Sequence, residues 1–332
     1  MPKKPPPSLP DDFLTALRAF QESRVLLTAI ELDLFTAVGK GATASQAAHR
    51  LGGGERATEM LLNALVALGM LTKQAGLFRN APLAARYLSA GSPDNVRTAL
   101  MHSVHVWDRW STLTACVRAG TSVLRRGPEK RGQDWTQAFI GAMHLNAVAR
   151  APAVVSAVGA KGVDRLLDVG GGSGAYSIAF AKARRTLRAE VLDRPEVLPM
   201  ARGHIAKAGL SDRVKTRAGD LRKDKLGRGY HLILLSAICH MLGPEENLDL
   251  FRRSLAALAP GGRIVIQDFI LEPDKTAPRV GALFALNMLV GTRSGSSYSE
   301  PEYAQWLRQA GFQDVRRIHL PGPSGLMLGT RR

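Results

Sequence analysis

Apolar residues at helical spacing open the chain. Phe13, Leu14, Leu17 and Phe20, then Val25, Leu26, Ala29 and Ile30, predict helix over residues 11–38. Thr43 stands as an N-cap for a second helix, and the Gly52–Gly54 run stops it. A third helix over residues 55–71 carries Met60, Leu61, Leu65 and Leu68 on one side, and a short hairpin then turns at Gly76. Three helices and a β-wing form a winged-helix pattern, which often places a later helix in the DNA major groove. Residues 58–68 offer Asn63 but no Arg or Lys, so their apolar surface points instead to packing, such as a dimer interface. Residues 82–160 read as helical and are rich in His, Trp and Met. Beyond 160 the texture changes: strands at 165–169, 187–192, 214–218, 231–237 and 263–269 alternate with helices. That alternation predicts a Rossmann-like, doubly wound α/β sheet, with a junction near residues 154–162.

Composition narrows the picture. A length of 332 residues suits one large or two smaller domains, and 45% hydrophobic content excludes a disordered chain. Cys116 and Cys239 lie far apart without metal-site or disulfide spacing, which favours a reducing cytoplasm. The Pro- and Lys-rich residues 1–10 read as a disordered lead-in without the apolar stretch of a signal peptide. The longest apolar run, near 280–290, is about half the length of a membrane span. The net charge of +17 is spread over both halves of the chain, apart from clusters at 125–131 and 213–228. Nucleic-acid binding needs such charge gathered on one face or element, so it is the lesser reading.

The chemistry gathers around Leu166-Leu-Asp-Val-Gly-Gly-Gly-Ser-Gly174, a strand that ends in a glycine turn and runs straight into a helix. Glycines permit close backbone approach to a ligand. Gly170, Gly172 and Ala175 also match the dinucleotide pattern, so the loop alone is ambiguous. Three acids bear on the choice. Asp168, inside the strand end, suits a cationic or amine-bearing ligand better than a pyrophosphate. Asp193 ends the next strand, where a carboxylate accepts both ribose hydroxyls. Asp220 ends the third, placed for an adenine amino group. Strand carboxyl ends converge on one crevice in such sheets. No hydride-transfer constellation accompanies them.

Taken together, these motifs make the sequence resemble the class I S-adenosylmethionine-dependent methyltransferases. Within them it is similar to the small-molecule O-methyltransferases related to plant caffeate, acetylserotonin and bacterial polyketide enzymes. The resemblance runs from Leu34-Phe35 and Leu68-Gly-Met-Leu71 through Asp168–Gly174, Asp193-Arg-Pro-Glu-Val197 and Gly219-Asp220. It continues with Cys239-His240, Leu258-Ala-Pro-Gly-Gly262, Asp268 and Ala310-Gly-Phe312. It implies an all-helical winged-helix dimerisation domain over residues 11–100, a helical linker and pocket segment over 101–160, and a cofactor domain over 161–332. It further implies a homodimer, with S-adenosylmethionine held by the Gly170–Gly172–Gly174 loop, Asp193, Asp220, Leu221 and Ser236.

Methyl transfer from a sulfonium needs an aligned nucleophile and a base. His240, at the end of an apolar strand, matches the family's catalytic histidine, with Asp268 to orient it. The plant enzymes place two glutamates around that histidine; here the second falls near Ser297, which has no carboxylate, and Met241-Leu242 replaces their Asp-Trp. Those departures keep N- or C-methylation, and a non-methylating use of the cofactor, open as alternatives. Trp107, Phe139, Met143, His144, Phe284, Asn287 and Met288 are the candidate acceptor-pocket residues, suited to a flat aromatic acceptor. His102, His105 and His144 lack an acidic partner at convincing spacing, so no metal site is expected.

Overall fold

The structure, a computed structural model, describes residues 9–124 and 132–332. The basic cluster at 125–131 and most of the expected lead-in lie outside the described residues. Two compact units divide between His105 and Val106.

The first unit contains α1 (Asp11–Arg18), α2 (Phe20–Glu31), α3 (Leu34–Val38), α4 (Ala44–Leu51) and α5 (Glu55–Ala67). The antiparallel hairpin β1 (Leu71–Gln74) and β2 (Leu77–Asn80) follows, then α6 (Pro82–Tyr87). The unit is therefore mostly helical rather than all-helical. The single helical stretch expected over 11–38 is broken twice, at Ala19 and at Asp33, whose φ of +56° cannot continue a right-handed helix. Thr43 caps α4 in a reciprocal box with Gln46, and Gly52 closes it in the left-handed conformation. On α5 the buried ridge is Thr58, Leu62 and Leu65, at i, i+4 and i+7, whereas Met60 faces outward and is 59% exposed. Leu34, Phe35, Leu62, Leu65 and Phe78 form the centre of this core. By contrast α1 buries nothing, and Phe13, Leu17 and Phe20 lie at least half exposed.

The chain leaves this unit along α7 (Arg97–Trp110). The second unit adds α8 (Leu113–Ala119) and α9 (Gln133–Val158), then β3 (Arg165–Val169), α10 (Ala175–Ala183), β4 (Arg188–Asp193), α11 (Leu198–Lys207), β5 (Val214–Ala218) and β6 (Tyr230–Ser236). A short 3-10 turn, Cys239–Met241, precedes α12 (Pro244–Ala257), β7 (Leu258–Asp268), α13 (Arg279–Gly291), α14 (Glu300–Gln309), β8 (Gln313–His319) and β9 (Gly325–Thr330). The sheet order is β5-β4-β3-β6-β7-β9-β8; the first five strands run parallel, and β9 is antiparallel to both neighbours. Strand order reverses at β3, so the crevice opens at its carboxyl end.

Both faces of the sheet are covered, and adjacent residues divide between them. Leu167, Ile233, Leu235, Ile264 and Ile266 enter one core; Leu166, Leu232, Leu234 and Val265 enter the other. Near-continuous apolar strands are the signature of that burial. The expected junction at 154–162 lies within the second unit, where α9 ends and the chain turns toward β3, because Ala151, Val154 and Val158 of α9 pack into the same core as β3. Helix α9 is long and apolar enough by length and composition to cross a membrane, unlike the shorter run near 280–290. It contains Pro152 and buries Ile140, Ala151, Val154 and Val158. Part of the basic stretch at 213–228 is engaged within the fold. Arg213 donates to the carbonyls of Ala181, Arg184 and Arg185, Arg217 pairs with Glu190, and Arg222 pairs with Glu246.

Candidate active site

After β3 the backbone turns through Gly170, Gly172 and Gly174, with φ of +66°, +55° and +74°, a region that side chains disfavour. Packing constrains the loop further. A Cβ on Gly170 would collide with Ile238, and one on Gly171 would lie 2.6 Å from Asp168 Cγ. The loop therefore closes directly over Asp168, which is fully buried. Its Oδ2 accepts from Ser177 Oγ at 2.9 Å, while Oδ1 has no hydrogen-bond partner among the described residues. Burial pushes this carboxyl up to about 7, against the opposing Ser177 hydroxyl. A buried, half-satisfied carboxyl under a glycine cradle fits an amine-bearing ligand.

Asp193 at the end of β4 accepts from the Gly172 and Arg194 N–H groups, each at 2.8 Å, through different oxygens. Burial raises its pKa, and those two amides oppose the rise. Each oxygen keeps acceptor capacity for a ligand hydroxyl. Asp220, half-buried beyond β5, accepts the Arg222 N–H through Oδ1 at 2.9 Å. Leu221 faces the loop, with Cδ2 3.4 Å from a Cβ built on Gly170, so Leu221 and Ile238 flank the glycine turn. Ser236 Oγ donates to Gln267 Oε1 at 2.7 Å, and Tyr176 OH donates to the same oxygen at 3.2 Å.

Ala237, immediately beyond β6, has a φ of +56°, a strained conformation for a residue with a Cβ. The turn delivers His240 to the end of β7. There His240 Nδ1 lies 2.7 Å from Asp268 Oδ1, and its backbone N–H donates to Asp268 Oδ2 at 3.2 Å. Asp268 also accepts from the Phe269 N–H at 2.8 Å and from Tyr303 OH at 3.2 Å. Both His240 and Asp268 are buried. A carboxylate on Nδ1 selects the tautomer with its proton there and leaves the Nε2 lone pair available.

The pocket candidates divide. Phe284 sits edge-on to the His240 ring at 4.8 Å and 4.5 Å from Phe269, and Met288 follows one turn later on α13, buried. Asn287 Oδ1 accepts from Trp110 Nε1 at 3.1 Å. Phe139 stacks on Trp135 at 5.1 Å, and its neighbour Ile140 approaches Gly172. Trp107 and Met143 are half-buried on α7 and α9. His144 belongs to the glycine loop: Nδ1 is 2.8 Å from Ser173 Oγ, and the ring stacks on His204 at 3.7 Å. Burial, then His204 and Lys207, lower its pKa to about 4, so it is neutral at pH 7. Ser297 is buried with Oγ unpartnered among the described residues, and the donor that reaches Asp268 is Tyr303. Ser177, Gln267, Tyr176, Ile238 and Tyr303 were not singled out by sequence reasoning. Gln267 was accessible to it, standing at a strand end beside Asp268; Tyr303 sits on α14 with no motif around it.

The family model for an O-methyltransferase domain matches residues 120–313, and that for an O-methyltransferase dimerisation domain matches residues 14–90. The chain belongs to the O-methyltransferase family. It is 35% identical to the 3-hydroxy-5-methyl-1-naphthoate 3-O-methyltransferase of Streptomyces sahachiroi, over 98% of this chain and 95% of that one. It is 30% identical to the tetracenomycin polyketide synthesis 8-O-methyl transferase TcmO of Streptomyces glaucescens, over 97% of each. Among solved structures, PigF with SAH shares 27% identity at a TM-score of 0.88, over 97% of this chain and 100% of that one. This O-methyltransferase thus combines a family dimerisation domain with a class I methyltransferase sheet.

Proposed function

We propose that this O-methyltransferase transfers a methyl group from S-adenosylmethionine to the hydroxyl of a small aromatic acceptor, with His240 as general base. The observation that carries the reading is the His240–Asp268 pair, 2.7 Å apart at the strand ends that also present the glycine loop. The related PigF holds SAH, the demethylated product of that cofactor. The naphthoate relative acts, by its name, on a ring hydroxyl.

The residues present fit the cofactor. Asp168 Oδ1 would take its amino group, the glycine loop its methionine portion, Asp193 the ribose hydroxyls, and Leu221 with Ile238 an apolar side of the adenine. When bound, the cofactor supplies a methyl already activated on a sulfonium. The protein orients and deprotonates the acceptor. His240 Nε2 takes the phenolic proton, and the buried Asp268 carboxylate stabilises the imidazolium that forms. Phe284 and Phe269 give the acceptor ring an apolar wall and keep water from the oxygen. The exposed Phe13, Leu17 and Phe20 of the dimerisation domain suit a homodimer, and two buried free cysteines suit a reducing compartment such as the cytoplasm.

Calorimetric titration with S-adenosylmethionine, followed by labelled-methyl transfer to 2-naphthol, tests this reading. Binding to the wild type, its loss in Asp193→Ala and label on the naphthol oxygen are the expected results. A wild type that binds no S-adenosylmethionine would refute it.

A further inference from the structure

Two half-buried guanidinium groups in the second unit, Arg109 and Arg150, have neither an ion pair nor a hydrogen-bond acceptor among the described residues. Every other half-buried arginine there is engaged. Arg217 and Arg317 pair with glutamates, Arg184 and Arg253 with aspartates, and Arg213, Arg263 and Arg331 with carbonyls. Arg194 pairs with Glu196. Arg150 lies over the Phe269 ring, and its charge is felt by Tyr176 on the glycine-loop side. Arg109 lies elsewhere. Its guanidinium is 5.2 Å from the Trp135 ring centroid, and Nη1 is 3.4 Å from the position of a Cβ on Gly291.

Gly291 places Arg109 relative to His240. Phe284, Asn287, Met288 and Gly291 recur at i, i+3, i+4 and i+7 along one face of α13. Phe284 on that face touches the His240 ring, while Trp110, next to Arg109, holds Asn287 in the middle of it. Gly291 lies two turns beyond Phe284, roughly 10 Å along the helix. An acceptor lying along that face would have His240 at one end and Arg109 at the other.

We infer that the acceptor is an aromatic hydroxy-acid and that Arg109 reads its ring carboxylate. The inference rests on the proposed methyl transfer for the position of the hydroxyl, and it adds the charge of the substrate. A guanidinium presents paired N–H donors whose geometry matches a carboxylate, and Arg109 carries that fork 5.2 Å from the Trp135 ring centroid. Burial lowers the pKa of Arg109, and because a guanidinium stays protonated in proteins the group is a partly desolvated cation. A carboxylate would satisfy it; a neutral phenol would leave it unpaired. The selectivity that follows is of the kind a site gains when its buried polar group has only one suitable partner.

The test measures equilibrium binding of 3-hydroxy-1-naphthoate and of 2-naphthol, the same ring without the carboxylate, to the enzyme loaded with S-adenosylhomocysteine. The wild type is expected to prefer the acid by about 10- to 100-fold, the range of a charge-assisted hydrogen bond. R109Q should bring the ratio near one, R109K should keep part of it, and R118Q, which removes an exposed cation of α8, should keep all of it. A wild-type ratio near one overturns the inference. So does loss of the preference in R118Q, which would assign it to the general positive field, or its retention in R109Q. Because binding is read without turnover, the outcome is separate from the methyl-transfer reading. Methylation of 2-naphthol with no preference for the acid sinks only this inference. Arg109-dependent binding of the acid without transfer from S-adenosylmethionine sinks only the other.

Discussion

Replacing Asp168 by Asn should stabilise the ligand-free protein while weakening its hold on the cofactor. Asp168 is fully buried with one unpartnered oxygen, and burial holds its carboxyl at about 7, against an ordinary value of 3.8. The folded state therefore keeps a proton that the unfolded state has released. Between pH 4 and 7 stability must fall as pH rises, and above 7 this contribution is flat. With 1.36 kcal/mol per pKa unit, a shift of about three units amounts to at most ~4 kcal/mol at pH 7 and above. Asn keeps an acceptor for Ser177 and cannot ionise. Urea unfolding of both proteins without ligand, from pH 4.5 to 8, isolates the effect as a difference. The variant should gain on the wild type by up to about 4 kcal/mol across that range. With S-adenosylmethionine present, the wild type should recover more stability than the variant, because an ammonium favours the ionised carboxylate. Parallel stability curves across the pH range would refute the reasoning, as would equal cofactor affinity in the two proteins.

Other substitutions test neighbouring parts of the account. Gly171→Ala introduces a Cβ 2.6 Å from Asp168 Cγ, so it should cost about 1–3 kcal/mol in urea unfolding and weaken S-adenosylmethionine binding in calorimetry. Tyr303→Phe keeps the packing on Tyr298 and Trp306 but removes the hydroxyl on Asp268, and should cost about 1–3 kcal/mol of stability together with a fall in kcat. Unchanged kcat would show that Asp268 is held without that hydroxyl. Leu17→Glu places a charge on the exposed apolar face of α1 and should convert a dimer to monomer in sedimentation; an unchanged mass would move the interface elsewhere.

The glycine-loop side of the sheet was legible because its determinants are local. Leu166–Val169 is a buried parallel strand and reads as an unbroken apolar run, and the glycines that follow it have few alternatives to a tight turn. Asp193, Ser236 and Asp268 could be placed because they end strands, and strand ends converge. The pairing of β8 with β9 was not legible, since Gln313–His319 alternates weakly and joins the sheet only through a later strand. Met60 and Leu62 exchanged places because both fit a helical period, and only tertiary packing chooses the buried stripe. His144 stood in the right segment for a pocket residue, yet its ring turned to Ser173 and His204, a choice made by the rotation of α9. Tyr303 became the donor to Asp268 through the docking of α14, a long-range contact without a sequence signature. The surroundings of His240 depend on such contacts throughout, so the packing of Phe284, Asn287 and Trp110 around it could not be read from the sequence.

The most direct test of the central claim is a single-turnover measurement of labelled-methyl transfer to 2-naphthol by His240→Ala, with S-adenosylmethionine saturating both variant and wild type. If Nε2 removes the phenolic proton, the variant should transfer about 10²- to 10⁴-fold more slowly while binding the cofactor as the wild type does. Transfer at the wild-type rate would contradict the account and leave alignment alone to carry the reaction.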